Sequence, residues 1–135
     1  MLAAKLCRQH IYDPTLEYQL CAVIVRGGRI LSVGFNSRSN SALQEFYKDK
    51  SQQDHSTTLH SEVAAVLGAR RKIDLNGSKI YVVRRLACDT AERPVFGMAR
   101  PCITCQTVLF KYGIKKMVYT IPNGWSVEKI LEPNL

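Results

Sequence analysis

The residues most able to do chemistry are Cys102 and Cys105, three apart in the stretch ARPCITCQ (99–106) and directly after Pro101. Two thiols at that spacing serve a redox pair or half of a metal site, or stand there by coincidence. A thioredoxin-like pair would follow a first strand, which is a different element order from this one. A second group, His60-Ser61-Glu62, opens another helix-like stretch, with a strand-like run between the two motifs. Zinc takes tetrahedral nitrogen and sulfur ligands, and a catalytic zinc uses three from the protein plus one water. Residues three apart share a helix face, so Cys102 and Cys105 can reach one ion. The partial positive charge of a helix N-terminus favours their thiolates. If both helices start at one end of a sheet, His60 supplies the third ligand. Glu62 then lies beside the metal as a carboxylate suited to shuttle a proton.

A rival arrangement uses Cys88, upstream of the pair. Cys88, Cys102, Cys105 and His60 would close a structural Cys₃His site with no room for water. The rival predicts that replacing Cys88 loses zinc, and the catalytic reading predicts that zinc is kept. The five cysteines are an odd number, and MLAAKLCRQH carries no apolar core of a secretory signal. Both facts argue against a disulfide framework and for a reducing, cytoplasmic setting. No apolar run approaches the length of a membrane span, so no membrane partner is expected.

These motifs need elements to hold them. Residues 1–10 read as a docking helix. LCAVIV (20–25) and RILSVGF (29–35) flank Gly27-Gly28, a hairpin signal. Residues 37–59 are polar and without a period, a long loop. HSEVAAVLGARRK (60–72) reads as a helix with a basic end, and KIYVVR (79–84) as a buried strand. Residues 85–100 are irregular. CITCQTVLFKY (102–112) has helical spacing, with Gly113 and Ile114 set for a Schellman cap. KKMVYTI (115–121) is a further strand, Pro122-Asn123-Gly124 a turn, and a short helix is expected from Ser126. The order α-β-β-α-β-α-β-α predicts one three-layer α/β/α domain over residues 1–135, with a central mixed sheet of four to five strands.

The combination of HSE at 60–62 with PCITC at 101–105 resembles the cytidine and deoxycytidylate deaminase superfamily. The resemblance covers roughly residues 20–121. GFN (34–36) fits it too, and YGIKKMVYT (112–120) looks more like deoxycytidylate-type enzymes than tRNA adenosine deaminases. It implies a cytidine-deaminase-like fold with zinc held by His60, Cys102 and Cys105. It also implies hydrolytic attack of an activated water on C4 of cytosine, with Glu62 moving protons to the ring and to the departing ammonia. Asn36 matches an asparagine that contacts sugar or base in the family; its alternative role is a turn residue after a strand. Ser61 and Arg100 join Asn36 as expected substrate-binding residues. The chain departs from the common pattern in two loops, 37–59 and 85–100. The first lacks the extra Cys and His ligands of deoxycytidylate deaminases that carry a second zinc.

Net charge is +8 and lopsided: residues 69–135 hold twelve of the nineteen Lys and Arg but five of the eleven Asp and Glu. That half should attract phosphates or polynucleotides, or serve as a solvated surface. Arg84, Arg85, Arg93 and Arg100 precede the cysteine pair and are open to the same two readings. Phe46, Tyr47, Phe96 and Trp125 could stack on a base or pack under loops. His10 and His55 read as surface residues, Cys7 and Cys21 as core. The leading reading is a deaminase of a cytidine or deoxycytidine nucleotide, with dCMP favoured. The second is a deaminase of bases in single-stranded DNA or RNA. The third is a catalytically silent zinc module that binds nucleic acid or a partner. A homo-oligomer is expected, since family members commonly assemble.

Overall fold

The computed structural model describes residues 2–9, 19–38, 41–47, 59–86, 92–93 and 95–132. His10, His55 and Cys88, and parts of both long loops, lie outside them. The elements are α1 (Leu2–Gln9), β1 (Gln19–Arg26), β2 (Arg29–Phe35), α2 (Ala42–Phe46), α3 (Ser61–Ala69), β3 (Lys79–Arg85), β4 (Phe96–Gly97), α4 (Ile103–Lys111), β5 (Lys116–Ile121) and β6 (Gly124–Lys129). The strands form one mixed sheet in the order β2-β1-β3-β5-β6. Among the described strands only β3 and β5 pair in parallel, joined by the crossover that carries α4. β1 borders β3 along its length, so β4 pairs on the β5 side, opposite Arg84 and Arg85 where β5 no longer reaches.

The unbroken apolar run in β1 reflects burial on both faces. Ala22 and Ile24 join Ile80, Val82 and Met117 under α3 and α4, in the larger core with Val63, Val66, Cys105, Val108 and Leu109. Cys21 and Val23 face the other way, with Val83, against Ala3 and Cys7 of α1. Both cysteines are fully buried, as core thiols should be. Three layers result, α1 on one side and α3 with α4 on the other.

The Gly27-Gly28 hairpin forms as expected, with Arg26 opposite Arg29. So does the cap of α4: Gly113 N donates to Phe110 O at 3.0 Å and Ile114 N to Leu109 O at 3.0 Å, the two bonds of a Schellman motif. Gly113 sits at φ +79°, which a side chain resists.

The C-terminal helix expected from Ser126 is instead β6, paired antiparallel with β5 through a Pro122-Asn123 turn. Trp125 and Val127 suit a pleated surface, and pairing along β5 supplies the hydrogen bonds that a short isolated helix lacks. With β4 as well, the sheet has six strands where four to five were expected. α3 also ends earlier than predicted, at Ala69, and α2 lies within the stretch read as loop. No described helix is long and apolar enough to cross a membrane.

Candidate active site

His60 and Cys102 are the N-cap residues of α3 and α4, and both have extended backbone. Neither side chain caps its helix, so both are available at the same end of the sheet. The chain into His60 is held twice. Ser37 and Leu59 form a bridge with bonds of 3.1 and 2.8 Å, and His60 N donates to Gln44 Oε1 of α2 at 2.8 Å. α3 is seated by a close approach to β2: a Cβ on Gly34 would stand 2.3 Å from Ala65 N and 2.4 Å from Ser61 O. Ser32 Oγ donates to Ala65 O at 2.7 Å beside it. The glycine of GFN therefore sets the height of the helix that begins with His60.

The ligand atoms of His60, Cys102 and Cys105 all lie within 4.8 Å of one another. His60 Nδ1 is 3.2 Å from Cys105 Sγ and 3.5 Å from Cys102 Sγ. Tetrahedral zinc with N and S ligands at about 2.0 and 2.3 Å would hold them about 3.6 Å apart. The donor set and spacing fit that ion. The pKa of the Cys102 thiol is lowered to about 4, chiefly by the hydrogen bond from Cys105 and then by His60. The Cys105 thiol is pushed well above its ordinary value by giving that bond and by burial. One thiolate is thus stabilised among these three side chains alone.

Glu62 is buried, and burial raises its carboxyl above the ordinary range, while a hydrogen bond from Ser61 Oγ to Oε1 at 2.6 Å opposes the rise. Ser61, expected to bind substrate, is fully buried and does not line the cavity; its hydroxyl holds Glu62. The first position of a helix could face either way, and sequence carried no sign of which.

A cavity of about 170 Å³ is lined by His60, Glu62 and Cys102, with Asn36, Arg84 and Arg100 among the polar groups around it. It is below the roughly 300–1,000 Å³ of sites that enclose drug-sized ligands, so it suits one ring with the rest of a ligand at the mouth. Asn36 Oδ1 accepts from Leu20 N at 2.8 Å, and Asn36 N donates to Leu20 O at 3.2 Å. Asn36 thus latches the end of β2 to β1 and borders the cavity at once. Its Oδ1 is fixed as the acceptor, which turns the amide NH₂ the other way.

Arg100 is tied to Glu128 by Nε–Oε2 at 2.7 Å and Nη2–Oε1 at 3.3 Å, and Tyr119 OH donates to the same carboxylate at 2.6 Å. Of the four arginines singled out, Arg84 and Arg100 line the cavity and Arg85 and Arg93 do not. Leu20, Met98 and Ala99 complete the wall and were not anticipated. Met98 and Ala99 directly precede Arg100-Pro101-Cys102, which was the available signal. Thr120 Oγ1 fixes this wall, donating to Gly97 O at 2.8 Å and accepting from Arg84 N at 3.0 Å. Phe96 and Trp125 pack with each other on the α1 side, centroids 6.3 Å apart, away from the cavity. Tyr47 packs against the larger core, and Phe46 is exposed on α2.

A family model for the cytidine and deoxycytidylate deaminase zinc-binding region matches residues 1–121. A protein described as an uncharacterised deaminase in the luxG 3′ region of Aliivibrio fischeri is 31% identical over 105 residues, 78% of this chain and 58% of that protein. The chain therefore spans under two thirds of that relative's length. The fold is similar to cytidine deaminase from Burkholderia pseudomallei, with TM-score 0.60 and 20% identity over 96% of this chain and 88% of that one. It is also similar to dCMP deaminase from cyanophage S-TIM5 in apo form, with TM-score 0.53 and 20% identity over 87% and 76% of the two chains. The same phage enzyme in complex with dCMP and dUMP gives 0.52 and 18%, over 87% and 74%.

Proposed function

The chain belongs to the cytidine and deoxycytidylate deaminase family, and from that premise we propose that it is a zinc-dependent hydrolase converting cytosine to uracil in a cytidine or deoxycytidine nucleotide, with a dCMP-like substrate favoured. The observation that carries the reading is the convergence of His60 Nδ1, Cys102 Sγ and Cys105 Sγ within 4.8 Å, with the buried Glu62 facing the same cavity. His60, Cys102 and Cys105 would hold the ion. Bound zinc supplies a Lewis acid that makes water nucleophilic near neutral pH.

The remaining work falls to this chain's own groups. Glu62 takes a proton from the attacking water and passes it to N3 of the ring. It then moves the second proton to the exocyclic nitrogen, so that cytosine and water leave as uracil and ammonia. Burial raises its carboxyl above the ordinary range, which suits a group that must donate a proton as well as accept one. Ser61 holds one carboxyl oxygen and keeps the other oriented. Asn36 presents its amide NH₂ to the sugar or the base. Arg84 and Arg100 at the mouth suit an anionic group such as a 5′-phosphate. Glu62 itself argues against a silent zinc module.

The test is conversion of dCMP, CMP, cytidine and a cytosine-containing single-stranded oligonucleotide by the zinc-loaded protein, with Glu62→Gln as the matched control. The expected result is turnover of the small substrates and a dead variant that still holds zinc. Turnover of the oligonucleotide alone would overturn the substrate assignment. Zinc bound with no turnover of any cytosine substrate would overturn the enzymatic one.

A further inference from the structure

The basic residues of this chain collect at the end of the sheet opposite the cavity. Arg29 lies opposite Arg26, Val25 opposite Lys79, Lys79 beside Lys116, and Lys116 opposite Lys129. Lys79, Lys116 and Lys129 form one line of positive charge across β3, β5 and β6, while the β1 partner of Lys79 is Val25 and the Arg26 guanidinium donates to the carbonyls of Asp74 and Asn76. At roughly 4.8 Å between strands the line is about 10 Å long. Behind it, Arg70, Arg71 and Lys72 follow α3 and Lys111 ends α4. Lys115 adjoins the row. All of these are exposed except the half-buried Arg70. From Lys79 to Arg84 the distance along β3 is about 17 Å at roughly 3.3 Å per residue, so this end is remote from the cavity.

Helix-end cations complement the helix dipole, and an edge lysine guards an edge strand. Neither account covers Lys79 and Lys116, which sit on central strands. Lys79, Lys116 and Lys129 are direct register partners, so their side chains share one face, the face that carries α1. Like charges opposite one another in a sheet are destabilising. None of these three lysines is in an ion pair among the described residues; Glu128, next to Lys129 but on the opposite face of the sheet, is paired with Arg100. A sheet that keeps three adjacent lysines in register without a carboxylate is arranged for an external anion. On the same face Tyr81 lies next to the row, with Lys79 Nζ 5.4 Å from its ring centroid.

We propose that this basic end docks the phosphate backbone of a single-stranded nucleic acid, at a site separate from the cavity. The line is narrow, as suits a strand of phosphates, with three adjacent cations placed to neutralise phosphates of one strand. Tyr81 offers an aromatic face beside the charges. Recognition is electrostatic and independent of base sequence. The basic row would bind its polymer whatever ligand the cavity takes.

The test is fluorescence anisotropy with a labelled oligothymidylate of about 20 nucleotides over a series of salt concentrations. The zinc-loaded full chain is compared with Lys79→Gln/Lys116→Gln/Lys129→Gln, with a second variant carrying Glu at the three positions, and with Glu62→Gln. The expected result is salt-sensitive binding by the wild type and by Glu62→Gln. Affinity should fall at least tenfold in the Gln variant and further in the Glu variant. The slope of log K against log salt should flatten by about 0.7 for each phosphate that is no longer neutralised. Turnover of dCMP should stay near wild type, and melting temperature should not fall in a folded variant; at low salt the Gln variant should melt slightly higher, as the repulsion within the row is removed. Binding that survives the triple substitution overturns the proposal, as does the absence of binding at low salt. Capture by phosphatidylserine vesicles with none by the oligonucleotide would overturn it in favour of a membrane surface.

Discussion

The two ends of the sheet treat charge in opposite ways. At the cavity end charges are buried, tethered or shared: Glu62 takes a hydrogen bond from Ser61, Arg100 is clamped by Glu128, and one proton lies between Cys102 and Cys105. At the far end Lys79, Lys116 and Lys129 stand in register and exposed, with no carboxylate between them. Fixed charge at the first end is what chemistry requires, since a group must be oriented before it can move a proton. Unneutralised charge at the second end costs stability and has value only toward something outside the molecule. The division does not follow the chain's two halves. β3 starts in the basic row at Lys79 and ends in the cavity wall at Arg84.

The contrast breaks most sharply at Glu62. Glu62→Gln keeps the shape and removes the carboxylate proposed to carry protons, so turnover should fall about 10²–10⁴-fold, the range for general acid–base groups. Zinc content measured by metal analysis should stay at wild-type stoichiometry, and binding at the basic end should not move. Loss of zinc in this variant would mean that Glu62 is a ligand rather than a proton carrier. Gly34→Ala comes next. Its Cβ would meet backbone of α3 at 2.3 Å, which no rotamer relieves. The expected cost is about 1–3 kcal/mol in denaturant unfolding, with a rise in KM because His60 and Glu62 ride on the displaced helix. A variant as stable as wild type would show that α3 is not seated by that approach.

How much of this was legible follows from what each feature depends on. HSE and PCITC could be read because residue types and spacing at a helix start are local features. The Gly27-Gly28 turn and the Gly113-Ile114 cap were legible for the same reason. β6 was not: Ser126, Glu128 and Lys129 suit a helix start, and only pairing with β5 decides for a strand. β4 is two residues long, its Gly97 carbonyl bound by Thr120 from a distant strand, which no local pattern foretells. The direction of the Ser61 hydroxyl, toward Glu62, was not legible, because side-chain direction at a helix start is set by packing. The lopsided charge was visible in composition, yet its position needs the register of β3, β5 and β6.

A test of the far end that needs no ligand uses stability. Lys116 has a lysine partner on each side, at Lys79 and Lys129. Lys116→Gln removes both repulsions and should raise stability by about 0.2–1 kcal/mol at low salt. The gain should shrink as salt screens the wild-type row, since the Debye length falls from about 30 Å at 0.01 M to about 3 Å at 1 M. Equal gains in Tm at both salt concentrations would point to a packing effect and weaken the contrast between the two ends.

The smallest effect is expected at the tethered arginine. Arg100, and then Tyr119, lower the Glu128 carboxyl below its ordinary value. A carboxylate lowered by folding adds stability at pH above its unfolded value, and that stability is lost as pH falls through the folded one. Both side chains are substantially exposed, 48% for Arg100 and 35% for Glu128, so water screens the pair and its worth is about 0–1 kcal/mol. Glu128→Gln should therefore be slightly less stable than wild type near neutral pH, and the difference should close in acid once Glu128 is protonated in both folded and unfolded wild type. The same variant releases Arg100 at the mouth of the cavity. A change confined to KM for a phosphorylated substrate, absent for cytidine, would mean that Glu128 holds the guanidinium in place for an anion. Equal effects on both substrates would make the pair a structural tie between β6 and the cavity wall.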